Sequence, residues 1–206
     1  KFLPIKYSQE KPALRLFYKD SEQAHLCLGV RAFALGNPDR YKSAVLNAII
    51  GSSMSSRLFI QLRERRGLAY YVRSGNEEYH DAGSFAAQAG VDPKNINEAI
   101  KVVLAEFAKI ATEQPGIEEL NKAKESIKGR LILELEDSRE ISTMIGLQEL
   151  LEGRIRTPEE IISEIDKVTA ADVTEVAKKI FVNKGLNLAI IGPFKDEGKF
   201  ISDLKF

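Results

Sequence analysis

The chain has 206 residues, 44% apolar and 29% charged, and its thirty basic and thirty acidic residues cancel. That is the composition of one ordinary globular domain spanning residues 1–206, large enough to bury a core without disulfides or metal. The neutral balance excludes the overall basic field of a nucleic-acid or membrane-surface protein; one cysteine allows neither an intramolecular disulfide nor a cysteine-based zinc site, and no apolar run approaches the roughly 18 residues of a membrane span.

Residues 13–19 alternate apolar and polar and predict a strand. A second strand is predicted over 24–33, with His25, Cys27, Gly29 and Arg31 on one side and Leu26, Leu28 and Val30 on the other. Its apolar setting makes Cys27 a buried thiol rather than a reactive one. Gly36 to Asp39 is a break, and a helix follows from Arg40 to Ile50, ended by Gly51.

Ser52 or Ser53 caps the next expected helix, which runs to about Arg66. Met54, Leu58 and Leu62 recur every fourth residue as its buried stripe, and Gly67 supplies the left-handed residue beyond its end. Strands are expected over 68–74 and 84–91, joined through GNEEYHDAG. The second places Phe85, Ala87, Ala89 and Val91 on one face, small enough for a helix to approach closely.

Asp92-Pro93 opens an amphipathic helix carrying Ile96, Ile100, Val103, Leu104, Phe107 and Ala111. Helices over 117–136 and 138–152 follow. Thr157 with Glu160, and Thr169 with Asp172, open two more helices. Residues 186–191 form a last buried strand. The order β-β-α-α-β-β-α-α-α-α-α-β predicts an α+β fold, a mostly antiparallel sheet with helices on one face.

Catalytic chemistry is sparse. The two histidines, His25 and His80, begin neither H-x-x-E-H nor H-E-x-x-H. Glu77, Glu78, His80 and Asp81 are residue types that bind divalent ions, but a hairpin tip solvates them as well. Metal ligands are therefore expected to be none. Arg63 and Tyr70 flank Gly67, and a guanidinium with a phenol makes a donor pair for a carbonyl oxygen or oxyanion. Spacing alone favours a solvated helix end beside a sheet tyrosine.

The motif SSRLF-x-x-LRE-x-RGLAY-x-V over 55–72 resembles the C-terminal-half signature of the pitrilysin/insulinase zinc peptidases, which include processing peptidases and inverted-motif bacterial proteases. EQAHLCLG at 22–29, the helix at 118–136, the segment at 157–181 and LNLAIIGP at 186–193 extend the resemblance over nearly the whole chain. It implies the LuxS/processing-peptidase-like metallohydrolase fold, in the half without zinc. It further implies that a catalytic half or subunit elsewhere carries zinc on H-x-x-E-H, and that this half closes the chamber and binds extended peptide or unfolded polypeptide. Arg63 and Tyr70 take the positions of the substrate-binding Arg and Tyr that reach toward that other half. This chain alone is then inactive. Gly51-Ser52-Ser53 stands where many such proteins have three glycines. The alternative is a degenerate scaffolding subunit. A homodimer through the face left bare, and a cytoplasmic setting with neither nucleic acid nor membrane as partner, are further expectations.

Overall fold

The computed structural model describes residues 5–202 and 204–206. Strand β1 is Ala13–Tyr18 and β2 is Ala24–Ala32; helix α1, Arg40–Ile50, follows. A π-helical turn, Phe59–Glu64, leads into β3, Ala69–Glu78, and β4, Gly83–Val91. Helices α2, Ile96–Thr112, α3, Ile117–Glu134, α4, Ser138–Glu152, α5, Pro158–Lys167, and α6, Ala170–Ile180, come next. Strand β5, Asn187–Gly192, and a short α7, Gly198–Ile201, close the chain.

The five strands form one sheet in the order β1-β5-β2-β4-β3. Only β1 and β5 are parallel; the other pairs are antiparallel. β5 thus slots between β1 and β2. The fold is the expected α+β arrangement, and its core lies on one side of the sheet. Leu26, Leu28 and Val30 of β2 are buried there with Phe85, Ala87, Ala89 and Val91 of β4. Against them pack Val45, Leu46 and Ile49 of α1, Ile100, Val103 and Phe107 of α2, and Val173, Val176 and Ile180 of α6. Phe107 stacks on Phe181 at 4.3 Å, and Phe85 meets both edge-on. Both threonine capping boxes form as expected, at Thr157–Glu160 and Thr169–Asp172.

Several boundaries differ from the sequence expectation. β3 runs on to Glu78, so the hairpin tip shrinks to residues 79–82. The helix expected from Ser52 or Ser53 to Arg66 begins only at Arg57. Before it, Ser56 turns back on Ser53, its N–H and its hydroxyl both donating to that carbonyl. Met54 is therefore outside the stripe and 75% exposed, while Leu58 and Leu62 are buried as expected. Gly51 is not left-handed. It is small because β3 passes close by: a Cβ there would lie 2.7 Å from the Ser74 backbone nitrogen. Gly67 is left-handed, with φ +61.

Among the described residues no helix is long and apolar enough to cross a membrane.

Candidate functional site

The segment from Gly51 to Tyr71 is assembled around three anchors. Arg57 donates two hydrogen bonds of 2.7 Å to the Glu119 carboxylate of α3, clamping the start of the turn to the helical layer. Leu58 and Leu62 hold its inner side in the core. The Leu68 N–H donates to the Leu62 carbonyl at 2.7 Å and ties its end to β3. The turn widens to a π-helix where the Arg65 N–H reaches the Ile60 carbonyl, five residues back. Four arginines crowd this stretch, and they divide by role. Arg57 belongs to the fold. Arg66 folds back on Gln61. Arg63 and Arg65 are exposed.

The structure places the two sequence-predicted site residues on either side of Gly67. Arg63 is exposed, its guanidinium 5.3 Å above the Phe59 ring. Tyr70 is 54% exposed. No hydrogen bond joins them. Tyr70 has a local cause for its direction. In the β3–β4 pairing Ala69 opposes Val91 and Tyr71 opposes Gly90, so Tyr70 is the extra residue of a β-bulge. A bulge breaks the alternation of the strand and re-aims one side chain. Hence two consecutive tyrosines are exposed, where a regular strand would bury one. Tyr71 lies across Gly90, where a Cβ would come within 2.4 Å of its ring, and its hydroxyl hydrogen-bonds the His25 Nδ1 at 3.1 Å. Gly90 is thus a close-approach glycine that fixes the strand beside the bulge.

His25 sits on the side of β2 opposite the core, as the alternation expected. Cys27 shares that side and is half-buried rather than buried, a correction to the sequence expectation. Partial burial, with the Glu77 charge, pushes its thiol up. Among the described residues no helix covers this side of the sheet, and Arg15, His25, Arg73, Glu77 and Ala189 are all exposed on it. Tyr7 and Gln9 lie over one end, where Arg31 donates to the Gln9 side chain and stacks on Tyr7 at 4.2 Å. A shallow trough of about 450 Å³ runs over Arg15, Cys27, Gly29, Ala86 and Ala189.

A metal does not fit this half. Among the described residues no group of three His, Cys, Asp or Glu side chains could hold one. The hairpin tip shows why. Glu77 lies on the open side, where it accepts from the Tyr79 hydroxyl at 2.8 Å. Glu78 points to the helical side, where burial raises its carboxyl and nearby Arg40 partly offsets that. The two carboxylates do not converge.

Sequence reasoning missed the Arg57–Glu119 clamp and the Tyr71–His25 bond. The first leaves no local signal, because its partners are far apart in the chain. The second left one: two adjacent tyrosines in an otherwise alternating strand.

Residues 2–127 match the family model described as the peptidase M16 inactive domain. The chain is 36% identical to an uncharacterized zinc protease of Bacillus subtilis over 175 residues, covering 85% of this chain and 42% of that protein. It is 34% identical to an uncharacterized zinc protease of Streptomyces coelicolor, covering 89% of this chain and 40% of that one. It spans less than half the length of these relatives. A solved peptidase M16 inactive domain from Pseudomonas fluorescens superimposes with a TM-score of 0.84 over 94% of this chain and 47% of that one, at 21% identity. A protease from Helicobacter pylori does so with a TM-score of 0.82 over 94% of this chain and 48% of the other, at 24% identity. These two likenesses bear on the fold.

Proposed function

Because this chain belongs to the peptidase M16 inactive domain family, we propose that it is the closing, non-catalytic half of a zinc endopeptidase and binds extended peptide for the catalytic half. The observation that carries this reading is the Gly67 corner. A π-turn leaves Arg63 exposed before it, and a bulge turns Tyr70 outward after it. Neither side chain serves the core. Both are donors with open hydrogen-bonding capacity, suited to a peptide carbonyl and to the oxyanion it becomes on attack.

Zinc chemistry would belong to the other half. In this half Arg63 and Tyr70 together would donate to the substrate backbone beside the scissile bond and to the oxyanion that develops there. The missing wall of such a site is the partner half, on the same chain or on a neighbouring subunit. A homodimer of this half through the surface that would meet the other half, and a cytoplasmic setting, belong to the same proposal.

The test is turnover of a fluorogenic peptide by the protein holding both halves. Arg63→Ala is expected to lower kcat/KM by about 10²–10³, with an unchanged melting temperature. Tyr70→Phe, which keeps the ring, should lower it less. Equal turnover for both variants and the parent would sink the assignment and leave the scaffolding alternative.

A further inference from the structure

The open side of the sheet carries an excess of positive charge. Four registers cross it. One runs Phe17–Ile191–His25–Gly90–Tyr71 and is mostly aromatic and apolar. The next runs Arg15–Ala189–Cys27–Gln88–Arg73, with an arginine at each end. The third, Ala13–Asn187–Gly29–Ala86–Gly75, is small throughout apart from one asparagine. The last holds Arg31, Ser84 and Glu77. Three arginines therefore face one carboxylate on this side of a chain whose total charge is zero.

None of the three arginines is neutralised. Arg73 donates through Nε at 3.2 Å and through a terminal nitrogen at 2.9 Å to the Gln88 side-chain oxygen, a neutral acceptor. That contact holds the guanidinium along the sheet without cancelling its charge. Arg31 donates to the neutral Gln9 and stacks on Tyr7. Arg15 is exposed, and its side chain makes no hydrogen bond or ion pair with any described residue.

We infer that this side of the sheet is a selective peptide wall that favours acidic segments. Arg15 and Arg73 receive carboxylate side chains, and the Gly29–Ala86–Gly75 register leaves room for the backbone. The inference rests on the peptide-binding reading above and adds the substrate class to it. The two arginines stand four strands apart, roughly 19 Å, the reach of about six extended residues. The matching ligand is thus an extended peptide with two acidic residues about six positions apart. A nucleic acid fits poorly. Its phosphates follow one another every ~3.4 Å along a strand, and between Arg15 and Arg73 lie only Ala189, Cys27 and Gln88. Phe17, Ile191 and Tyr71 beside the arginine register suit apolar side chains flanking the acidic ones.

The experiment uses the 206-residue chain and three fluorescein-labelled ten-residue peptides. They are identical except for Glu, Gln or Lys at two positions six apart. Anisotropy at low salt is expected to rank Glu over Gln over Lys, with Glu about tenfold tighter than Gln. Arg15→Gln and Arg73→Gln should each weaken the Glu peptide about threefold and leave the Gln peptide unchanged. Lys178→Gln, an equal loss of charge on exposed α6, should change neither. Cys27, the one thiol, lies between the two arginines and reports position: the Glu peptide should slow its modification by maleimide. Binding without charge preference, or Arg variants that behave like Lys178→Gln, would overturn the inference while leaving peptide binding intact. Binding that leaves Cys27 unprotected overturns the location. Tighter binding of a single-stranded oligonucleotide overturns the ligand class. If no peptide binds, the peptide-binding reading itself fails.

Discussion

On the helical side of the sheet a set of cations ends on carboxylates. Arg40 and Arg156 share Glu152 at 2.8 and 2.6 Å. Lys42 bridges Asp39 and Asp172, Lys179 reaches Asp39, and Arg57 clamps Glu119. On the open side Arg15, Arg31 and Arg73 meet only neutral groups or solvent. The same split holds for size. Large apolar side chains fill the helical side, whereas one register of the open side is glycine and alanine apart from Asn187. Groups matched within the chain are committed to holding it together. Groups left unmatched, at fixed positions on a rigid sheet, are available to something outside it.

That contrast is broken most forcefully by paired truncations. Phe107→Ala removes the centre of the Phe85–Phe107–Phe181 cluster and should cost about 3–5 kcal/mol. Phe17→Ala on the open side, where Phe17 is 66% exposed, should cost less than about 1 kcal/mol. Urea midpoints of the two variants measure the difference; similar losses would mean that the open side is a second core.

A pair of glycines sharpens it at smaller scale. Gly51→Ala drives a methyl into the backbone of Ser74 and should cost about 1–3 kcal/mol. Gly75→Ala on the open side meets nothing within 4 Å and should stay within about 0.5 kcal/mol of the parent. Thermal melts suffice, and a destabilised Gly75→Ala would show that this register is already occupied.

The smallest effect is acid sensitivity, which the matched side alone should carry. The Thr169 hydroxyl and N–H, with Lys42, pull Asp172 down to about 2. Lys179 and Lys42 lower Asp39, and at Glu152 the Arg40 and Arg156 bonds overcome the opposing effect of burial. A carboxylate with a depressed folded pKa stabilises above its unfolded value and loses that contribution as pH falls through the folded one. The window is from about pH 4 downward, through about 2 for Asp172. Glu78, raised by burial, works the other way and gains a proton first. Asp172→Asn should therefore lose less stability than the parent between pH 5 and 2, by about 1 kcal/mol after solvent screening. Parallel curves would place the acid-labile groups elsewhere.

Much of this architecture was legible in the sequence. Alternation located β1, β2 and β4, and capping residues located α5 and α6 closely; the apolar run located β5, although only alternate residues of it are buried, with Asn187, Ala189 and Ile191 facing the open side. Periodicity placed Leu58 and Leu62 correctly but failed at Met54, because Ser56 turns back on Ser53 and the helix begins only at Arg57. Alternation put Cys27 on the same side as His25 and Arg31, yet its apolar neighbours argued for burial; the alternation was the better guide. The insertion of β5 between β1 and β2 depends on pairing between chain ends and has no local signature. At the candidate site, Arg63 and Tyr70 came from the resemblance of the motif, since their spacing alone favoured a solvated corner. The bulge that turns Tyr70 outward rests on its register against β4, which one strand's sequence does not contain.

The placement of β5 also sets an order of events. β1 pairs only with β5, Ala13 opposite Asn187 and onward to Tyr18 opposite Gly192. During synthesis at about 5–20 residues per second, β1 leaves the ribosome roughly ten to thirty-five seconds before its partner. The β2–β4–β3 part of the sheet and α2 can assemble in that interval. β1 cannot, and the edge of β2 that β5 later occupies stays open for the same time. β5 is the last of the five strands to be made, and it completes the arginine register that runs from Arg15 to Arg73. A nascent chain stopped short of Asn187 would carry Arg73 and its neighbours but only part of that wall.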